Sequence, residues 1–339
     1  MDLQTKTGYP SIDKPWLKYY NEKAINAPSA KMSMYDYLRQ CNKDYLDNTA
    51  LNYFGKKISY RKLYENIDCV ACALQASGVK KGDIVSVCTL TAPETVYLLY
   101  AINEVGAVSN WLGLTSSVQD LHEQLASTDS RLVFAVEMAY DLIVEAAKGT
   151  KVETIVSIPI EVSMPTVMRA AASLKQKHPR LTDNSIKWKD FVESGKSTDL
   201  KCVKVDGNEL AVILYTGGTT GTPKGVMLSN ISSNSFYANF LSANNCDLTN
   251  YSIGDKCTCV APLFLVFGLI ACCHAPLCQK MELIISPDPS PKAVGQMIVT
   301  SKPSHIVAGR LHFDSIGRLA KKKYKFVLCQ ASDIWWGAS

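Results

Sequence analysis

The stretch KKGDIVSVCTLTAPETVYLLYAINEVGAV, Lys80 to Val108, changes its hydrophobic period twice. DIVSVCTL (Asp83 to Leu90) is a short apolar run and predicts a buried strand. Pro93 suits the first turn of a helix carrying Val96, Leu99, Tyr100 and Ile102, and Gly106 hands the chain to AVSNW, a second strand. Strand, helix and strand with short joins are the signature of an α/β fold.

The alternation continues in both directions. Upstream, Ser59 is placed to cap a helix with Leu63, Ile67, Val70, Ala71 and Leu74 on one face, and Gly78 stops it. Downstream come helix Val118–Leu125, strand Arg131–Ala135, helix Ala139–Ala147 and strand Glu153–Ile158. Repetition at this spacing predicts a mostly parallel sheet with helices on both faces. Residues 159–205 are more polar and less periodic, which predicts a peripheral helix and connections. A second run has strand Leu210–Tyr215, strand Cys257–Ala261, helix Phe267–Cys278 and strand Met281–Ser286. Helix Pro291–Ser301 and strands His305–Val307 and Lys325–Cys329 complete it. The expectation is two stacked αβ subdomains, 58–205 and 206–329, after an N-terminal extension at 1–57 and before an atypical tail at 330–339.

Composition narrows the function classes. The chain has 339 residues, 47% of them hydrophobic, enough for a sizeable core. Its net charge of +5 is small and scattered, which gives no footprint for nucleic acid, and KKKYK at Lys321–Lys325 reads as a solvated helix end. Of the twelve cysteines, Cys69, Cys72, Cys88, Cys272 and Cys273 sit in apolar runs as small hydrophobes, a pattern expected of a reducing cytoplasm. Cys257 and Cys259 have no companions at zinc spacing. The opening MDLQTKTGYPSIDKPW lacks the features of a signal peptide, and Val260–Cys273 is too short to span a bilayer, leaving peripheral membrane contact open.

Strand LAVILYT runs into YTGGTTGTPKGVML, Tyr215 to Leu228. Glycines there let backbone N–H groups converge on one point, and threonine hydroxyls add donors, an arrangement suited to phosphate oxygens. The Walker pattern needs glycine before its lysine and Ser or Thr after it. Pro223 and Gly225 occupy those places, which disfavours a P-loop NTPase. An exposed turn uses the same residue types, but such a run with a lysine at one strand exit points to a binding loop.

YTGGTTGTPKG resembles the phosphate signature of the AMP-forming adenylating superfamily: acyl-CoA synthetases, aryl-CoA ligases, luciferases and peptide-synthetase adenylation domains. ISYRKLYENIDCVACAL (Ile58–Leu74), the Lys80–Val108 stretch and APLFLVFGLIACCHAPL (Ala261–Leu277) resemble further family segments in family order. The resemblance implies attack of a carboxylate on the α-phosphate of ATP and then displacement of AMP by the thiol of CoA, most like a fatty acyl-CoA synthetase. It implies that Thr216, Gly217, Gly218, Thr219, Thr220, Gly221 and Lys224 hold the ATP phosphates. Lys224 would neutralise triphosphate charge, and Thr219 or Thr220 would contact Mg²⁺. Phe264, Leu265, Phe267 and Gly268 would line the acid pocket, or Phe264, Leu265 and Phe267 would equally be core at a strand end. His274 reads as structural.

The chain also departs from the family pattern. Gly217 stands where serine is common, and Leu265 where histidine or another aromatic is common. The later aromatic-Gly-x-Thr-Glu and Thr-Gly-Asp motifs do not occur, and the sequence ends QASDIWWGAS. The expectation is an incomplete piece of a longer synthetase, with the C-terminal domain absent and no full activity alone. Two other readings stand beside it: an amino-acid adenylation domain of the peptide-synthetase type, and a non-catalytic nucleotide-binding or interaction protein. Against the former, the only F-D-x, Phe313-Asp314-Ser315, comes too late.

Overall fold

The structure, a computed structural model, describes residues 7–19, 30–175, 178–216, 223–243, 253–308 and 313. The Lys80–Val108 stretch folds as its periods predict. Strand β3 (Ile84–Cys88) is followed by a helix at Pro93–Glu104 with proline in its first turn, and Gly106 (φ +74°) turns the chain into β4 (Val108–Trp111). The preceding helix, Tyr60–Ala76, begins where the Ser59 side chain accepts from the Lys62 amide, and Gly78 follows it at φ +83°. The helix expected over Val118–Leu125 runs a turn further, to Thr128, with Ser117 and Asp120 forming a reciprocal capping box.

Among the described residues there are two sheets. In the larger, β5 (Leu132–Val136), β6 (Thr154–Ile158) and β7 (Ser185–Lys187) lie to one side of β3. On the other side lie β4, β8 (Leu210–Thr216) and β9 (Lys224–Ser229). All neighbours are parallel except β8 and β9, which form an antiparallel hairpin. Leu132, Phe134 and Val156 face one core with Val96, Leu99 and Phe191, whereas Val133, Ala135 and Ile155 face another with Leu121, Leu125 and Ile143. A parallel sheet covered on both faces must be apolar on both, which explains the continuous apolar runs.

The smaller sheet has the order β10 (Lys256–Cys259), β11 (Glu282–Ile285), β1 (Thr49–Tyr53), β2 (Lys56–Ser59). Residues 49–57, expected to be lead-in, therefore belong to a sheet with the late part of the chain: Leu51 lies against Leu283 in parallel register. Phe54 (φ +52°) and Gly55 (φ +86°) both adopt positive φ between β1 and β2, the condition of a tight type I′ hairpin turn. Sheet membership crosses the expected division at 205/206 in the other direction too. β8, expected to open the second run, pairs with β4 through Trp111 and Leu214.

Four other differences concern single elements. The α-helix expected over Phe267–Cys278 is a π-helix at Phe267–His274 followed by one α-turn, Ala275–Cys278. The strand expected at His305–Val307 is a single bridge from His305 to Cys257. The polar 159–205 segment holds two helices, Thr166–Lys175 and Trp188–Ser194, with β7 between them. Helices Met34–Asn42 and Asn230–Ala243 were not expected. The expected strand Lys325–Cys329 lies outside the described residues.

Candidate phosphate-loop and acyl-segment site

In an open α/β sheet, ligands bind beyond the carboxyl ends of the parallel strands, where the strand order reverses. Here β3 is followed by β4 on one side and by β5 on the other, and β8 ends beside β4 at that same edge. Thr216 and Lys224 are register partners across the base of the β8–β9 hairpin, and both are exposed. Backbone pairing therefore holds the two ends of the glycine-threonine loop together. Gly217, Gly218, Thr219, Thr220 and Gly221 lie outside the described residues. Among the described residues Lys224 has no carboxylate partner. The same residues include no group of three or more His, Cys, Asp or Glu able to hold a metal.

The Ala261–Leu277 segment approaches from the smaller sheet. Phe264 packs beside Gly113, just beyond β4: a Cβ added to Gly113 would lie 3.9 Å from the Phe264 ring and 2.8 Å from Ser116 Oγ. β4 pairs with β8 as far as Trp111 and Leu214, so Gly113 and Thr216 both follow the carboxyl-terminal end of that pairing. Phe264 and Phe267 are half-buried against the main core, but Leu265 is 43% exposed. A purely core role thus fits the two phenylalanines and fails for the leucine. Gly268 is fixed by contact: a Cβ there would sit 2.0 Å from the Pro262 carbonyl oxygen and 2.9 Å from that of Ala261. This crossing of backbones is where the helix takes its wider π form.

Behind the site one buried histidine joins three elements. His274 is fully buried. Its Nε2 lies 3.0 Å from Asn234 Oδ1 on the Asn230–Ala243 helix, and its Nδ1 lies 3.0 Å from the Tyr100 hydroxyl on the Pro93–Glu104 helix. Asn234 Nδ2 donates to the Met32 and Ala30 carbonyls, so its Oδ1 must accept. Nε2 therefore carries the proton and Nδ1 accepts from Tyr100. Burial drives the His274 pKa down to about 3, which keeps the ring neutral and unsuited to act as a base. The structural reading of this histidine holds, while its partners Tyr100 and Asn234 escaped sequence reasoning.

A second link joins the smaller sheet to the same edge. Tyr53, the last residue of β1, donates from its hydroxyl to the Ile160 carbonyl at 3.3 Å. It also lines a small cavity with Thr89, Glu94 and Thr95. Glu94 accepts from the Ser163 hydroxyl, and burial raises its pKa to about 6. By contrast, a surface cavity of about 560 Å³ lined by Asp129, Arg131, Lys151 and Glu153 lies at the amino ends of β5 and β6. Its charges are paired, Arg131 with Glu153 and Lys151 with Asp129, and it is remote from the hairpin. No helix among the described residues is long and apolar enough to cross a membrane.

Comparison with known proteins gives a consistent result. The family model described as "AMP-binding enzyme" matches residues 38–329. A long-chain-fatty-acid–CoA ligase of Bacillus subtilis is 25% identical over 302 residues, covering 86% of this chain and 53% of the relative. An acetyl-coenzyme A synthetase of Cryptosporidium parvum is 24% identical over 234 residues, covering 68% of this chain and 32% of that protein. The chain thus spans about half of the first relative and about a third of the second. Among solved structures, the anthranilate CoA ligase AuaEII bound to anthranoyl-AMP superposes with a TM-score of 0.69 at 19% identity, covering 84% of this chain and 51% of that one. The luciferase-like enzyme of the mealworm Zophobas morio also gives 0.69 at 19%, with coverage of 88% and 65%. These two likenesses establish the fold.

Proposed function

Because the chain belongs to the AMP-binding enzyme family, we propose that it carries the nucleotide- and acid-binding portion of an ATP-dependent carboxylic acid–CoA ligase whose acid has an apolar, fatty tail. The observation that supports this most is the pairing of Thr216 with Lys224 at the base of the hairpin beside β4, together with the packing of Phe264 against Gly113 just beyond the carboxyl end of β4. An anion-accepting loop and an apolar surface at one sheet edge suit a substrate pair made of a triphosphate and an acyl chain.

In the proposed reaction the acid's carboxylate oxygen attacks the α-phosphorus of ATP, the bond to pyrophosphate breaks, and acyl-AMP forms. The CoA sulfur then attacks the acyl carbon and AMP leaves. Thr216, Gly217, Gly218, Thr219, Thr220 and Gly221 are proposed to donate to phosphate oxygens, and Lys224 to offset charge on the departing pyrophosphate. Mg²⁺ would share that neutralisation, with Thr219 or Thr220 as its contact. Phe264, Phe267 and Gly268 are proposed to shape the acid pocket, with Leu265 offering its exposed face to the tail. The proposed setting is cytoplasmic, with peripheral membrane contact available for drawing a fatty acid from a bilayer.

The 339 residues assayed by themselves are proposed to bind ATP without completing a thioester, since the family's later Mg²⁺ and ribose motifs do not occur in the sequence. Calorimetric titration with ATP and Mg²⁺, followed by assays for pyrophosphate and acyl-CoA across acids of increasing chain length, tests the reading. Absence of any ATP binding would refute it. Acyl-CoA formation would overturn the inactivity alone.

A further inference from the structure

The Thr166–Lys175 helix turns its apolar stripe away from the protein. Val167, Ala170, Ala171 and Leu174 recur at i, i+3, i+4 and i+7, the spacing that ordinarily faces a core. All four are exposed, Val167 at 83% and Leu174 at 88%, more than any other large hydrophobic side chain among the described residues. The other side fixes the helix in place: Ala172 packs against the main core, and Ser173 Oγ donates to Glu161 Oε1 at 3.4 Å. Glu161 lies three residues beyond β6, so the helix is held at the carboxyl edge of the larger sheet, the edge that Thr216 and Gly113 also follow. His178, three residues past the helix, bonds Glu137 at 2.9 Å, which brings the neighbouring Met138, 71% exposed, to the same side.

Charge says what covers this stripe. Residues 166–180 contain Arg169, Lys175, Lys177 and Arg180 and no aspartate or glutamate. The two carboxylates bonded to this segment have little exposed side chain, Glu161 being held by Ser173 and Glu137 by His178, so neither offers negative charge to the surface. We propose that the Thr166–Lys175 helix is an interfacial anchor that docks on a bilayer containing anionic lipid, with Val167, Ala170, Ala171 and Leu174 entering the boundary between headgroups and acyl chains while Arg169 and Arg180 meet the headgroup phosphates. A second copy of the chain fits this surface poorly, because two such helices laid together would oppose basic residues with no acidic ones between them. Docking here would set the sheet edge that holds the candidate acid pocket toward a source of fatty acid. That purpose rests on the function proposed above, whereas the docking itself does not.

The test is flotation of the full chain with vesicles of phosphatidylcholine, or of phosphatidylcholine mixed equally with phosphatidylglycerol. The expected result is binding to the mixed vesicles that falls with added salt, and little binding to the neutral ones. Val167→Gln with Leu174→Gln should weaken binding by at least about tenfold without moving the denaturation midpoint, since both side chains are already exposed. Arg169→Gln with Arg180→Gln should weaken it roughly fivefold for each charge removed, and serves as the test should the first pair fail to fold. Ile253→Gln, at an exposed apolar residue in the turn before β10, should bind as wild type does. Equal binding to both vesicle types, no binding to either, or undiminished binding of the Val167/Leu174 variant would overturn the proposal. So would self-association without vesicle binding, abolished by the same variant, which would make a second copy the occupant. ATP affinity, read by calorimetry on the same samples, should be equal in wild type and the Val167/Leu174 variant. Vesicle binding without ATP binding would refute the nucleotide reading and leave the anchor standing, and ATP binding without vesicle binding would overturn the anchor alone.

Discussion

Replacing Gly268 by alanine adds one methyl group where there is no room for it. The new carbon would lie 2.0 Å from the Pro262 oxygen, 2.7 Å from the Pro262 carbonyl carbon and 2.9 Å from the Ala261 oxygen. Carbon and oxygen ordinarily touch at roughly 3.3–3.6 Å even in their closest favourable contacts, so the overlap with Pro262 exceeds about 1 Å. All three obstructing atoms are main chain, and no rotamer change relieves them. The π-helix and the Ala261–Leu265 segment would have to separate, losing packing around the buried Leu263 and Leu269. Overpacking of this kind costs about 1–3 kcal/mol, occasionally more, and backbone obstruction puts Gly268→Ala near the top, at about 3 kcal/mol. Urea denaturation followed by tryptophan fluorescence reads the loss as a lower midpoint at unchanged slope. A loss under about 1 kcal/mol would refute the close crossing of the two backbones.

Further outcomes follow from the site. Lys224→Ala removes an exposed ammonium, so stability should stay within about 0.5 kcal/mol, while ATP affinity measured by calorimetry should fall roughly tenfold to hundredfold. Thr222→Ala should change affinity by less than about 0.5 kcal/mol, and Gly217→Ser should preserve or raise it; equal losses in the alanine variants would remove the loop's proposed role. Asn234→Ala leaves the His274 Nε2–H and two carbonyls without their partner and should cost about 2–3 kcal/mol in a denaturation experiment. For His274, the unfolded chain binds a proton below about 6.5, whereas the folded chain binds it only below about 3. Its contribution is therefore intact above pH 6.5 and is lost as pH falls toward 3, at up to about 1.4 kcal/mol per pH unit. Denaturation midpoints of wild type and His274→Gln across that window should converge at low pH, and parallel curves would contradict the buried neutral ring.

The crossovers were legible because each signal was local. Pro93 at a first turn, Ser59 at a cap and Gly78 at a stop act within a few residues, and the structure puts the helix ends where they indicate. Pairings across the chain were not. Nothing near Trp111 announces Leu214, nor does Leu51 announce Leu283, since register is set by partners brought together only in the folded state. The β1–β2 turn was missed because Phe54 holds a positive φ where asparagine would have been the visible sign. The π-helix at Phe267–His274 carries no local pattern that separates it from an ordinary helix, and the close approach of the Pro262 carbonyl to Gly268 is a contact the sequence does not show. At the candidate site, the hairpin's first strand and the segment around Phe264 were readable, and the strand beginning at Lys224 was not. His274 was recognised as structural, but Asn234 and Tyr100 reach it from other helices.

The pairing of Leu51 with Leu283 also sets a schedule for synthesis. Elongation at about 5–20 residues per second leaves roughly 10–50 s between the emergence of β1 and that of the strand it lies against. During that interval the nascent Thr49–Ser59 hairpin presents one row of unpaired amides and carbonyls. The β3–β7 part of the other sheet is available far sooner, so its strands can assemble on the ribosome while the early hairpin waits.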